Sequence, residues 1–338
     1  MKKLTVLLVF VSLIPLHVSA YNDTSKSSIV MDMGSGRILY QKNPDKKMLI
    51  ASTTKIMTAI IALEHGNLNK KVKVGEEVLK MYGTNIYIEV GEKIKLKDLI
   101  YGLLLRSGND ASVVIAKEIA GDETKFVRLM NKKAKELGMT NTIFKNPHGL
   151  DENNKNYSTA KDMAILSQYA YKNKIYRKIS STKKYEVSTG KKTYLWYNRN
   201  KLLMNYKPCT GGKNGYTPSA GKTLVTTANK NNLNLTIVSL DDSNSYNNHE
   251  NLYKQMFSKY NNYEIISKYD FKIDKNFYNR NIYIKKSFYY PLETKEVNNI
   301  KTIVSIDSSS SSKRVGIIKV YLKDKNIKNI TIYQKKER

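Results

Sequence analysis

Three short runs combine residue types that can do nucleophilic and acid–base work: Ser52-Thr53-Thr54-Lys55, Ser107-Gly108-Asn109 and Lys213-Asn214-Gly215. In the first, serine and lysine are three residues apart. Residues so spaced share a helix face, so the Lys55 amine reaches the Ser52 hydroxyl and can take its proton. A place at a helix N-terminus also favours the alkoxide that develops. A free lysine titrates at about 10.4, so a base working near neutrality must be lowered by about 3 pH units, roughly 4 kcal/mol. Burial and a second lysine nearby both act in that direction. Other hydrolytic chemistries are poorly supplied. After the first twenty residues the histidines are His65, His148 and His249, with no pair at metal-ligand spacing. There is no G-x-S-x-G elbow and no other mark of a Ser-His-Asp triad.

The third run sits in TGGKNGYTPSAGKT, residues 210–223, which also approaches a phosphate-binding loop. Five residues, 216–220, separate Gly215 from Gly221, one more than that loop has. The terminal GKT is therefore read as the start of the next strand.

Hydrophobic patterning supplies the frame. Residues 27–33 and 37–41 alternate as two strands joined by a glycine-rich turn at 34–36. A helix is expected over 53–64; its apolar residues cover nearly every face, so it should be buried. A second helix over 97–105 runs into Ser107. A third spans 123–137, with Asp122 as N-cap and Gly138 just past its end. A fourth spans 159–171, with Asp162 placed for a capping box on Thr159. Residues 223–228 and 233–240 read as a hairpin, and 251–258 as a last helix. From about residue 263 the chain is rich in strands, interrupted by a solvated serine run at 308–314, which suggests a separate small β domain.

The order of the three motifs is that of class A β-lactamases and penicillin-binding proteins, with the middle residue changed in the second and third. Longer strings sharpen the likeness. ASTTKIMTAIIALE, LLLRSGNDAS, FKNPHGLD and NYSTAKDMA resemble the low-molecular-mass penicillin-binding proteins, the serine-type D-alanyl-D-alanine carboxypeptidases of peptidase family S11. This resemblance runs over residues 27–258, and YYPL and VGIIKVYLKDKNIKNITIY resemble that family's C-terminal β-sandwich. It implies an α/β fold, an antiparallel sheet flanked by helices over residues 21–262, followed by a small β-sandwich over 263–338. It implies that Ser52 attacks the D-Ala-D-Ala carbonyl, Lys55 takes its proton, and Ser107 relays a proton to the leaving D-alanine. By the same resemblance Asn109 binds the substrate amide chain and Lys213 supplies a positive field beside Ser107. The backbone N–H groups of Ser52 and Tyr216 form the oxyanion hole, Gly215 leaves room for the substrate strand, and Thr217 touches the substrate carboxylate. β-Lactams would acylate Ser52 in the same way. No metal or cofactor is implied.

Several positions depart from that family. Asn214 stands where threonine is usual, and Asn156 where histidine is expected. Near residues 245–251 the family often has an arginine for the substrate carboxylate; here His249 is the nearest cationic candidate. Residues 152–156, ENNKN, are similar to the E-x-x-L-N of class A β-lactamases, whose acid activates water; with Lys155 for leucine, this is read as chance. A weakly active homologue that binds and regulates the cell wall is the alternative to an enzyme.

Composition sets the surroundings. Lys2 and Lys3, an apolar run at 4–16 and Val18-Ser19-Ala20 read as a secretory leader over residues 1–20, so the mature chain is expected outside the cytoplasm. No later segment is apolar enough to span a bilayer, and from the final NITIYQKKER a soluble or wall-associated protein without an amphipathic anchor is expected. The single cysteine, Cys209, excludes an internal disulfide and is read as a small buried hydrophobe. Lys plus Arg number 58 against 29 acids, a net charge of +29. That charge favours anionic wall polymers or a membrane surface, and export excludes nucleic acid as a partner.

Overall fold

A computed structural model describes residues 22–273, 278, 280–307 and 312–335. The expected leader, part of the serine run and the end of the basic tail lie outside these residues. Strands β1 (Ser25–Asp32) and β2 (Ile38–Lys42) form the expected hairpin. Its turn is tied by the Asp32 carboxylate, which accepts from the Ser35 backbone N–H (2.7 Å) and hydroxyl (2.6 Å). Strands β3 (Cys209–Thr217), β4 (Gly221–Lys230) and β5 (Leu233–Asp242) complete an antiparallel sheet of order β2-β1-β5-β4-β3. The β4–β5 turn uses Asn231 and Asn232, both left-handed (φ 50° and 61°), the geometry that a two-residue hairpin needs.

Period-two alternation sends neighbouring strand residues to opposite faces. Ile29, Met31, Val238 and Leu240 enter a large core beneath the helices that follow β2. Val30, Leu235 and Ile237 enter a smaller core on the other face, under the helix Ser245–Lys259. The first layer holds α1 (Lys55–His65), α2 (Leu96–Tyr101), α3 (Asn109–Ala120), α4 (Glu123–Glu136) and α5 (Ala160–Lys172). Asp122 caps α4 by accepting from Lys125 N (2.7 Å). Thr159 caps α5, but the Asp162 carboxylate turns to Asn141 N (2.9 Å) and Thr142 Oγ1 (2.8 Å), so only half of a capping box forms.

Three local differences from the sequence reading matter. The helix expected over 97–105 becomes α2 followed by a π-helical turn, Gly102–Arg106, of the kind that often marks a functional site. The last helix of this part begins at Ser245, because its first turns bury polar Asn248 and His249 rather than an apolar stripe. A hairpin of Lys184–Ser188 with Thr193–Tyr197 was not apparent from the sequence; it turns Tyr185 and Trp196 inward, and Tyr185 stacks on Tyr101 with centroids 3.6 Å apart.

Only Tyr260 separates the helix Ser245–Lys259 from strand β6 (Asn261–Ile266). Strand β6 pairs with β7 (Phe288–Leu292). A four-stranded sheet of Ile282–Tyr283, β10 (Lys325–Gln334), β9 (Arg314–Leu322) and β8 (Ile300–Ile306) packs beside it. Leu292, Val315, Ile318, Val320 and Ile332 form its own core. Arg37, from the β1–β2 turn, reaches across. Its guanidinium pairs with Glu296 (2.6 Å), donates to Pro291 O (2.6 Å) and lies between the rings of Tyr260 and Tyr290.

Candidate active site

Ser52 lies in a 3-10 turn, Ala51–Thr54, that leads directly into α1. Two glycines confine this turn. A Cβ on Gly149 would lie 2.0 Å from Ala51 O, and one on Gly215 2.8 Å from Ser52 N and 3.1 Å from Thr53 N. Gly149 also has φ +89°, so no other residue fits its backbone or its space.

Lys55, the first residue of α1, is fully buried. Its Nζ lies 3.0 Å from Ser52 Oγ, 2.7 Å from Asn109 Oδ1 and 2.5 Å from His148 O. The last two partners only accept. A neutral amine therefore places its two N–H bonds on them and turns its lone pair to the serine hydroxyl. Burial, then the charge of Lys213, hold this amine well below the ordinary lysine range, with Asp110 opposing them weakly.

Asn109 opens α3 and is held at both ends, since its Nδ2 donates to Tyr82 O (2.7 Å). Next to it, the Asp110 carboxylate collects the backbone N–H groups of Ile86 (3.0 Å), Tyr87 (2.7 Å) and Ala111 (2.8 Å). This pins the loop that carries Tyr82 against Asn109. Ser107 ends the π-helical turn with left-handed backbone, φ 67°. The residue is 4% exposed, and its hydroxyl forms no hydrogen bond among the described residues, which leaves it open to the cleft.

Strand β3 forms an edge of the sheet, so alternate backbone N–H groups face away from β4. Lys213, Gly215 and Thr217 turn to its buried side; Asn214 is half-buried and Tyr216 exposed. Lys213 Nζ donates to Asn214 O (2.6 Å). Burial, helped by the charge of Arg199, lowers the Lys213 amine to about 7.

Two residues considered for the substrate carboxylate are held by protein partners. The Thr217 hydroxyl donates to Asp151 (2.6 Å) and its oxygen accepts from Ala220 N (3.1 Å). Its one proton is spent on a carboxylate, so in this arrangement it offers nothing to a substrate carboxylate. His249 is fully buried between the helix Ser245–Lys259 and the sheet, with its ring nitrogens on Thr226 Oγ1 (2.7 Å) and Ser239 Oγ (2.9 Å). Burial lowers it to about 4, so it is neutral and cannot stand in for an arginine. The cation that the sequence reading missed is Arg199, an exposed residue that donates to Thr84 Oγ1 (3.2 Å) and whose charge reaches Lys213. No motif flagged it, because it follows a strand that was itself not foreseen.

The remaining departures are structural. Asn156 is buried: its amide N–H groups go to Thr54 Oγ1 (3.0 Å) and Asn146 O (3.0 Å), and its oxygen accepts from Lys145 N (2.6 Å). It thereby ties the 145–156 loop to the turn that holds Ser52. Glu152 is exposed, and its charge reaches the Tyr82 phenol. Cys209 is buried, with its thiol pushed up to about 11.

A family model described as D-alanyl-D-alanine carboxypeptidase, Peptidase_S11, matches residues 15–244. The chain belongs to the D-alanyl-D-alanine carboxypeptidase family S11. It is 41% identical over 218 residues to the D-alanyl-D-alanine carboxypeptidase DacF of Bacillus subtilis, covering 62% of this chain and 55% of that one. It is 35% identical over 230 residues to DacA of Haemophilus influenzae, covering 64% and 56%. The chain thus spans little more than half the length of these S11 relatives. Among solved structures it is similar to penicillin binding protein 5 of Haemophilus influenzae (TM-score 0.78, 26% identity, 94% of this chain and 98% of that one). It is also similar to penicillin binding protein 6B of Escherichia coli (TM-score 0.73, 26% identity, 94% and 97%). These full-length likenesses agree with the fold class expected from the sequence, in both its helix-flanked sheet and its C-terminal β part.

Proposed function

We propose that this S11 family member is a serine D,D-carboxypeptidase that removes the terminal D-alanine from peptidoglycan stem peptides. The observation that carries the reading is the buried Lys55 amine, 3.0 Å from Ser52 Oγ with carbonyl oxygens at its other two contacts. Ser52 Oγ attacks the carbonyl carbon of the D-Ala-D-Ala amide and its proton passes to Lys55. Charge on the carbonyl oxygen is met by the backbone N–H groups of Ser52 and of Tyr216 on the edge strand; one such donor is worth about 3–4 kcal/mol. The C–N bond then breaks, and the departing amine takes a proton relayed by the unengaged Ser107 hydroxyl. Water attacks the resulting ester, Lys55 takes its proton, and Ser52 is regenerated with the shortened peptide released. Lys213 and Arg199 supply positive charge for the substrate carboxylate. Asn109, once released from Lys55 by substrate, binds the peptide amide. A β-lactam would follow the same first step.

The expected leader would export the chain, and among the described residues no helix is long and apolar enough to cross a membrane. The charge of +29 would then favour anionic wall polymers or a membrane surface. The test incubates the mature chain with fluorescent penicillin and with a D-Ala-D-Ala pentapeptide. Labelling of Ser52 with release of free D-alanine is expected. Absence of both sinks the proposal, and label without D-alanine leaves a penicillin-binding homologue with a damaged substrate site.

A further inference from the structure

A cleft of about 530 Å3 lies where the β1–β2 turn meets the C-terminal β part. Lys285, Lys286 and Lys328 line it together with Tyr289, Tyr333 and Ser35 of the β1–β2 turn. No carboxylate lines it among the described residues. Two acids stand behind this lining: Asp32, which accepts twice from Ser35, and the exposed Glu264, whose carboxylate Ser287 and Tyr289 favour in its charged form, so the three lysines exceed the negative charges beside them by one. None of the three lysines forms an ion pair among the described residues, and Lys285 Nζ lies 4.6 Å above the Tyr333 ring. The positive charges come from two separate segments, the stretch before β7 and strand β10. Lysine is a point-charge donor suited to phosphate. Tyr333 is stacked on Tyr283 and carries Lys285 above it, which leaves the exposed ring of Tyr289 to meet the C–H face of a polyol or sugar. The apolar members of the lining, Phe288 and Ile330, are buried or half-buried in its walls. Of the lining rings Tyr289 projects, but no exposed aliphatic side chain stands beside it for insertion into a bilayer.

We propose that this cleft binds an anionic, hydroxyl-rich polymer, a chain of polyol phosphate units, at the junction of the catalytic and β parts. The ligand lies against Tyr289 while its phosphates meet Lys285, Lys286 and Lys328. The inference is independent of Ser52 chemistry, because none of these residues belongs to the active site.

The chain is basic throughout, so the experiment must separate this cleft from bulk charge. Binding of a short poly(glycerol phosphate) oligomer is measured by calorimetry for the full chain and for two triple variants. One is Lys285→Gln/Lys286→Gln/Lys328→Gln; the other replaces the exposed Lys71, Lys73 and Lys93 by glutamine and removes the same charge. Three exposed ion pairs predict about tenfold weaker binding for the cleft variant and little change for the control. Tyr289→Ala is expected to weaken binding without any change in charge. Both triple variants should melt and take up penicillin as the unmodified chain does. Equal loss in the two triple variants would mean diffuse attraction and would overturn the proposal. So would oligomer affinity matched by vesicles of phosphatidylglycerol with the same dependence on the three lysines, since that makes the site a lipid contact.

Discussion

Lys213 is expected to cost the protein stability, and replacing it by methionine tests how much. Its amine titrates at about 7, against 10.5 for a free lysine, and is 1% exposed. At about 1.4 kcal/mol per pH unit, that difference is on the order of 4–5 kcal/mol. The sign follows from proton counts. Between pH 7 and 10.5 the unfolded chain holds this proton and the folded chain does not, so stability rises with pH through that window. Relative to an uncharged residue, Lys213 then costs on the order of 4 kcal/mol at pH 7 and about 2 kcal/mol at pH 9. Methionine fills similar space but gives up the 2.6 Å bond to Asn214 O, worth about 1 kcal/mol. Lys213→Met should therefore be more stable at pH 7 by roughly 3 kcal/mol, shrinking to about 1 kcal/mol at pH 9, while D-alanine release is lost. Urea unfolding of both proteins at the two pH values measures this. A stability difference that does not change with pH, or a variant less stable at pH 7, would refute the claim that Lys213 is held against its own charge.

Three other outcomes follow from the same geometry. As pH rises through about 7, Lys213 loses its charge; KM for the pentapeptide should climb while kcat changes less, seen in steady-state kinetics on either side of neutrality. Gly215→Ala puts a methyl 2.8 Å from Ser52 N and should abolish penicillin labelling of a chain that still folds, read by gel fluorescence and circular dichroism. Asn214→Thr restores a hydroxyl and a better strand former on the edge strand and should raise kcat/KM on a D-Ala-D-Ala peptide; an equal or lower value would mean the site has adapted to asparagine.

Local pattern revealed some of these features and concealed others. The Ser52–Lys55 contact was legible because three-residue spacing on a helix leaves little freedom. The caps at Asp122 and Thr159 were legible for the same reason. The geometry of Ser107 was not, since its left-handed backbone follows a π-helical turn that no periodicity announces. The loop opposite depends on the Asp110 carboxylate gathering amides from over twenty residues earlier in the chain. The burial of His249 was not legible, because its helix begins earlier than the apolar pattern suggests and turns it into the core. Arg199 became visible only once folding brought its charge close to Lys213.

The Arg37 clasp has a mechanical consequence. The covalent link from the helix Ser245–Lys259 to the β part is one residue, Tyr260, which alone would act as a swivel. Arg37 adds a second anchor at the opposite end of the first hairpin, fixed by Glu296, Pro291 O and two rings. Two anchors remove rotation that one would permit. Force applied to the β part would therefore pass straight into the sheet edge carrying β1 and β2, and the mouth of the catalytic cleft would keep a set bearing relative to any surface on which the β part rests.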